Sequence, residues 1–109
     1  MTVIYGLANC DGCRKARRAL EAAGHAVTLR DVRVDPLAAA ERDRMLDAFG
    51  DRLVNRASAT WRKLDDAERA RTPQALLAAY PALMKRPVIE SAGALHLGWT
   101  AAVQRALLG

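Results

Sequence analysis

The chain has 109 residues, of which 51% are hydrophobic and 27% charged. This length suits one domain with a buried core, and the composition excludes a disordered chain. The net charge of +5 would suit a nucleic-acid ligand, but basic and acidic side chains alternate, as in Glu41-Arg42-Asp43-Arg44. We therefore expect solvated helix faces and no direct nucleic-acid binding.

The N-terminal residues and the longest apolar segment predict the cellular location of the protein. Met1 leads into the strand-like run Thr2 to Tyr5 without the basic and apolar regions of an export signal. The longest mainly apolar segment, Ala75 to Met84, contains Pro81 and is far shorter than the ~20 residues that cross a bilayer. We expect a cytoplasmic monomer without membrane contacts, where a cysteine pair is more often redox-active than a permanent disulfide.

The first third of the chain alternates a strand, a helix and a second strand. Val3 to Tyr5 is apolar and β-branched, which predicts a buried strand ending at Gly6. Apolar residues recur at helical spacing from Asp11 to Ala23, and Gly24 supplies a C-terminal stop. Partial alternation from Val27 to Val34 predicts the second strand. Such a β-α-β unit implies that its two strands are parallel.

The middle of the chain has helix-start patterns. Asp35-Pro36 predicts an N-cap and first helical residue for a helix that includes Phe49 and stops at Gly50. By the same pattern, Asp65 and Thr72-Pro73 start two further short helices.

The last quarter of the chain predicts a hairpin and a helix. Val88 to Ser91 and Ala94 to Trp99 flank a turn at Ala92-Gly93, and Thr100 to Leu108 forms the final helix. The order β-α-β, a helical insert and β-β-α predicts an α/β, thioredoxin-like fold with a mixed sheet flanked by helices. We expect a single domain over residues 1–109.

Two cysteines, Cys10 and Cys13, stand in a Cys-x-x-Cys spacing where the first strand meets the first helix. In a β-α-β unit of a cytoplasmic chain, this context is typical of a redox motif. A thiol at a helix N-terminus faces unpaired N–H groups and the positive end of the helix dipole, which stabilise its thiolate. The charge of Arg14 adds to this stabilisation and the charge of Asp11 opposes it.

A spacing of three residues places both sulfurs on one side of the first helical turn, close enough for a disulfide after local adjustment. We expect Cys10 to be the exposed attacking thiol and Cys13 the more buried resolving thiol. Alternatively, Cys13 is only a small core residue on the apolar stripe of the helix. A zinc site would need two more ligands, and His25 and His96 lack the required spacing, so we expect no metal.

Three segments resemble the arsenate reductase-like family, and together they span nearly the whole chain. They are Tyr5-Gly6-x-x-x-Cys10-x-x-Cys13-Arg14-Lys15-Ala16, Thr60-Trp61-Arg62-Lys63-Leu64 and Lys85-Arg86-Pro87. Within this family the chain is most similar to the branch that holds Spx-type regulators and small YffB-type proteins related to thiol reductases.

The resemblance implies roles for particular residues. Cys10 matches the nucleophile that attacks arsenate, and Arg86 matches an arginine that helps to hold the oxyanion. Pro87 matches a proline that follows a cis peptide bond and faces the active cysteine. Together with Arg14 and Arg56, Arg86 and Pro87 form the expected set that binds an oxyanion or a thiol ligand. From the residues alone, Arg86 could equally be a surface side chain beside the strand.

Two positions depart from the family pattern. Authentic arsenate reductases have a further arginine near the end of the final hairpin, where this chain has Gly98 and Trp99. Close relatives have an arginine where this chain has Ala57, and Arg56 stands one place earlier. We therefore expect an incomplete anion site.

Three functions fit these residues and motifs. The first is a thiol-disulfide oxidoreductase or glutathione-dependent thiol reductase, which binds no resident cofactor and uses glutathione or another thiol as co-substrate. The second is an Spx-type redox-sensing regulator that binds RNA polymerase and uses the cysteine pair as a switch. The third is arsenate reduction. The fold alone does not distinguish them, because one scaffold can host all three.

Overall fold

The computed structural model describes all 109 residues, which divide into two compact units, Met1–Asp31 with Arg86–Gly109 and Val32–Lys85. In chain order the helices and strands are β1 (Thr2–Gly6), α1 (Asp11–Ala22), β2 (Val27–Asp31), α2 (Ala39–Phe49), α3 (Ala59–Arg62), α4 (Asp66–Arg69), α5 (Pro73–Ala79), β3 (Val88–Ser91), β4 (Ala94–Leu97) and α6 (Ala101–Leu108). None of these helices has the length and apolar character that a membrane span requires. The single domain over residues 1–109 stays a prediction.

The first unit contains a four-stranded sheet in the order β2-β1-β3-β4. β1 and β2 are parallel, whereas β3 is antiparallel to both β1 and β4. One face of the sheet packs against side chains of α1 and α6, including Leu20 and Val103. The predicted α/β, thioredoxin-like fold with a mixed sheet flanked by helices is therefore confirmed.

The second strand is shorter than predicted. β1 pairs with β2 from Thr2 opposite Val27 to Gly6 opposite Asp31. Because β1 ends at Gly6, residues beyond Asp31 have no neighbouring backbone to pair with. The prediction that the strand continues to Val34 is therefore wrong. The Val34 side chain lies outside the sheet and is 83% exposed.

The start of α2 also differs from the sequence-based expectation. The helix begins at Ala39 rather than at Pro36, and Ala38 is its N-cap. The Glu41 carboxylate accepts a hydrogen bond from the Ala38 N–H at 2.8 Å, and this interaction stabilises the first turn of the helix. The N-cap is therefore three residues later than the predicted Asp35. The helix ends as expected at Phe49, before Gly50.

The second unit is made of short helices around a core of buried side chains. Ser58, Asp65 and Thr72 are the N-caps of α3, α4 and α5, and each side chain accepts a backbone N–H three residues later. The helix starts predicted at Asp65 and Thr72 are confirmed, whereas α3 was not predicted. The core side chains are Val32, Met45, Leu53, Val54, Leu76, Leu77, Leu83 and Met84.

Candidate active site

Cys10 is the N-cap of α1, where a tight turn leaves β1. Its backbone N–H donates to the carbonyl of Leu7 at 3.1 Å, and its sulfur accepts from the N–H of Cys13 at 3.4 Å. The side chain is partly exposed. An N-cap side chain receives a helix N–H group that has no partner inside the helix, so the fold holds this sulfur beside a backbone donor.

Cys13 lies one turn further along α1 and is completely buried. It packs in the core of the first unit with Ile4, Ala16 and Leu20. The adjacent end of β1 is Gly6, where an added Cβ would overlap the Cys13 sulfur. The helix therefore separates an accessible sulfur from an enclosed one, as the sequence predicted.

The pKa values of the two thiols are shifted in opposite directions. Partial burial raises the pKa of Cys10, but hydrogen bonds from the Cys13 thiol and N–H, together with the charge of Arg86 and a hydrogen bond from it, lower the pKa overall. Burial raises the pKa of Cys13 to about 12, and the hydrogen bond with Cys10 and the charge of Cys10 add to this rise. Cys10 is therefore the group that ionises first, with Cys13 as its hydrogen-bond donor.

Arg86 and Pro87 approach the cysteine loop from the start of β3. The Arg86-Pro87 peptide bond is cis, which confirms the prediction, and Pro87 is fully buried. A Cβ added to Gly12 would lie 4.0 Å from both the Cys10 sulfur and Cδ of Pro87. The proline ring, Gly12 and the reactive sulfur are thus neighbours, and the half-buried Arg86 supplies the cation beside that sulfur.

The other two predicted ligand-binding arginines have different surroundings. The Arg14 guanidinium forms an ion pair with the Asp11 carboxylate at 2.5 Å. Arg56 belongs to the second unit, where its guanidinium lies 5.2 Å from the ring centre of Trp61 and 3.7 Å from the carboxylate of Asp51. Arg86 lowers the pKa of Cys10 through its charge and a hydrogen bond. The roles of Arg14 and Arg56 in binding a ligand stay predictions.

Sequence analysis missed two residues that support the cysteine loop. The sequence predicts Gly6 as the end of a strand and as part of the first family segment, without a role for it, but its missing side chain makes room for Cys13. Asp31 ends β2, and its carboxylate accepts the N–H of Ala8 at 3.0 Å, inside the turn before Cys10. A glycine within a strand often marks a close approach by a neighbouring group, which is the pattern that could have indicated Gly6.

This arrangement supports nucleophilic chemistry at sulfur. A thiolate at Cys10 has a backbone N–H, a thiol and a guanidinium as its stabilising partners. No group of three or more His, Cys, Asp or Glu side chains is placed to hold a metal ion. The accessible thiolate can attack a disulfide or an electron-poor centre, and Cys13 lies close enough to hydrogen bond with it.

Comparisons with known proteins agree with this description. The model of the ArsC family matches residues 5–107 of the chain. An uncharacterized protein from Haemophilus influenzae is 36% identical over 104 residues, which cover 91% of each sequence. The structure of a YFFB protein is 32% identical over the full length of both chains, with a TM-score of 0.89. The solution structure of an arsenate reductase related protein from Brucella melitensis is 37% identical over 96% of this chain and 92% of that one, with a TM-score of 0.73.

Proposed function

This chain belongs to the ArsC family, and we propose that it acts there as a thiol-disulfide oxidoreductase of the cytoplasm. The observation that carries the proposal is the set of donors around the Cys10 sulfur. The N–H and thiol of Cys13 and the guanidinium of Arg86 all favour its thiolate. Because the thiolate is the attacking form of cysteine, this site is suited to thiol-disulfide exchange.

In the proposed reaction, the Cys10 thiolate attacks one sulfur of a substrate disulfide. A bond forms between Cys10 and that sulfur, while the substrate S–S bond breaks and the second sulfur leaves as a thiolate with the bonding electrons. The substrate disulfide is the oxidant in this step. The product is a mixed disulfide between Cys10 and the substrate.

Resolution of this mixed disulfide needs a second thiolate. Cys13 is adjacent, but burial raises its pKa to about 12. The charge of Cys10 disappears when the mixed disulfide forms, which removes one cause of this rise, whereas burial remains. We therefore propose that external glutathione competes with Cys13 as the resolving thiol and makes the protein a glutathione-dependent thiol reductase. Attack by glutathione regenerates the Cys10 thiolate and releases a glutathione-substrate disulfide.

Two single variants test the proposal by mass spectrometry after mixing with oxidised glutathione. Cys10→Ser should form no adduct, because the reactive sulfur is absent and Cys13 is buried with a raised pKa. Cys13→Ser should form a glutathione adduct that persists. Serine is a good N-cap residue, so the first variant keeps the helix start. An adduct on Cys10→Ser and none on Cys13→Ser would reverse the roles, and no adduct on either would leave the cysteines structural.

The same pair of free cysteines supports a second function, a redox-sensing regulator of the Spx type that binds RNA polymerase. Oxidation to a Cys10–Cys13 disulfide would be its switch. A pull-down of RNA polymerase by the reduced and oxidised protein tests this function. Loss of binding in both Cys10→Ser and Cys13→Ser, without reductase activity in the native chain, would favour the regulator.

Arsenate reduction is the weakest of the three functions that the site can support. Stabilisation of an oxyanion depends on the number of donors aimed at it. Arg86 is a cation that acts on Cys10, while Gly98 and Trp99 occupy the hairpin end where arsenate reductases have another arginine. We expect arsenate turnover far below that of an authentic arsenate reductase in a coupled glutathione and glutaredoxin assay.

A further inference from the structure

Cationic side chains continue from Cys10 along the exposed face of α1. Asp11, Arg14, Lys15 and Arg18 are spaced i, i+3, i+4 and i+7, which places them on one face of the helix. All four are exposed, whereas Cys13, Ala16 and Leu20 are the buried positions of the same helix. We call these four exposed residues the basic stripe. It carries three positive charges and one negative charge, and it begins at the residue after the reactive cysteine.

Asp11 shows how the basic stripe acts on a carboxylate. A hydrogen bond from Arg14 and then the charge of Arg14 lower the pKa of Asp11, and the charges of Lys15 and Arg18 lower it further. Arg14 is already held by Asp11 at 2.5 Å, so these two charges offset one another. Lys15 and Arg18 are then the cations that an incoming anion would meet.

We propose that the disulfide which Cys10 attacks belongs to an acidic polypeptide segment, whose carboxylates bind at Lys15 and Arg18. This inference rests on the proposed thiol-disulfide exchange and names its substrate class. The covalent step is unchanged: Cys10 forms a bond to the substrate sulfur, and the other sulfur of the substrate leaves as a thiolate with the bonding electrons.

The length of the basic stripe favours a polypeptide over a small disulfide. Arg18 is eight residues after Cys10, which corresponds to roughly 12 Å along the helix axis at about 1.5 Å per residue. Lys15 is five residues after Cys10, or roughly 7.5 Å along the axis at about 1.5 Å per residue. An extended peptide covers about 3.3 Å per residue, so its acidic side chains would lie about two and four residues from the substrate cysteine. In glutathione disulfide the carboxylates are attached to residues directly next to the cysteine.

Two short peptides provide the probe. Each contains one cysteine as a mixed disulfide with thionitrobenzoate, and it has either Glu or Gln at the second and fourth residues from that cysteine. Attack by Cys10 on the peptide sulfur releases the coloured thionitrobenzoate, whose appearance gives the rate constant. We expect the Glu peptide to react about threefold faster at low ionic strength, and the preference to fall as salt screens the charges.

The variant Arg18→Gln should lower this preference, and Lys15→Gln/Arg18→Gln should abolish it. Arg105→Gln is the matched control, since it removes one exposed helical arginine from the same unit and should keep the preference. An unchanged preference in the double variant, or an equal loss in the control, would overturn the inference. Faster reaction of the mixed disulfide of glutathione with thionitrobenzoate, which has the same leaving group, than of either peptide would overturn the polypeptide substrate. If Cys10 reacts with no disulfide at all, the proposed function itself is wrong.

Discussion

The two units place their arginines against different partners. In the unit that carries the sheet, Arg86 acts on the Cys10 sulfur through its charge and a hydrogen bond. In the helical unit, Arg56 and Arg69 lie 5.2 Å and 5.4 Å from the ring centre of Trp61. Sequence comparison had assigned both Arg86 and Arg56 to one ligand site. An arginine can therefore stabilise a thiolate or pack against an aromatic ring, and its contacts in the fold, not its residue type, determine which.

The units also differ in how they fix local geometry. The cysteine loop depends on distant segments, since Gly6 on β1, Asp31 on β2 and Pro87 before β3 all contribute to it. The short helices of the other unit depend on neighbours in sequence, such as the N-caps Ser58 and Thr72. We therefore expect substitutions around the cysteines to change both reactivity and the free energy of unfolding, and substitutions in the helical unit to change mainly the free energy of unfolding.

The largest effect on stability is expected from Gly6→Ala. The new Cβ would overlap the buried Cys13 sulfur, and relief of such overpacking typically costs about 1–3 kcal/mol of the free energy of unfolding. Gly12→Ala is the matched control, because its Cβ would meet Cys10 and Pro87 at an ordinary 4.0 Å. Urea unfolding measures both. The double variant Gly6→Ala/Cys13→Ala should recover most of the loss, and failure to do so would show that the overlap is not the cause.

The next effect concerns the acidity of Cys10. Cys13→Ala removes the thiol that donates to Cys10, so the pKa of Cys10 should rise and the rate of alkylation at neutral pH should fall several-fold. The rate profile should shift to higher pH and reach a higher plateau, because a thiolate with a higher pKa is intrinsically more nucleophilic. Cys13→Ser keeps a hydroxyl donor and should shift less. Equal profiles for the native chain and Cys13→Ala would show that the buried thiol does not tune its neighbour.

A shift in the same direction is expected from Arg86→Gln. The charge and hydrogen bond of Arg86 favour the Cys10 thiolate, so their loss raises the pKa of Cys10 and lowers the thiolate fraction at neutral pH. Each of the two contributions is smaller than the hydrogen bond from the Cys13 thiol, and Arg86→Gln removes both. The control Arg105→Gln removes the same charge from α6. If both variants shift the alkylation profile equally, only the overall charge of the protein matters.

Sequence analysis predicted the helices and strands that have strong local patterns. The first helix, the hairpin at Ala92-Gly93 and the Cys-x-x-Cys placement are present because periodicity and turn residues determine them over short distances. The end of β2 could not be predicted in this way, because the length of β1 limits it. Similarly, only three-dimensional packing shows that Gly6 faces Cys13 and that Arg56 lies against Trp61.

In the helical unit, Thr72→Ala should lower stability by about 1 kcal/mol. The Thr72 hydroxyl accepts the N–H of Ala75 at 3.2 Å, and loss of an N-cap side chain typically costs about this much. Thr72→Ser keeps the acceptor and should cost less. Urea unfolding with both variants separates loss of the cap from loss of the methyl group, and equal losses would show that the cap contributes little.

The smallest effect is expected from Arg56→Gln, which removes one cation from the face of Trp61. A cation–π contact at an exposed site contributes about 0.5–1 kcal/mol, and the ion pair with Asp51 is 3.7 Å long and largely exposed, so it adds little. Arg69→Gln should cost more, because this guanidinium also donates to the carbonyls of Trp61 and Arg62 at the end of α3. In urea unfolding, the free energy of unfolding should therefore be highest for the native chain, lower for Arg56→Gln and lowest for Arg69→Gln. The reverse order would show that these backbone hydrogen bonds add nothing to the stability of this helix end, since both arginines contact the Trp61 ring.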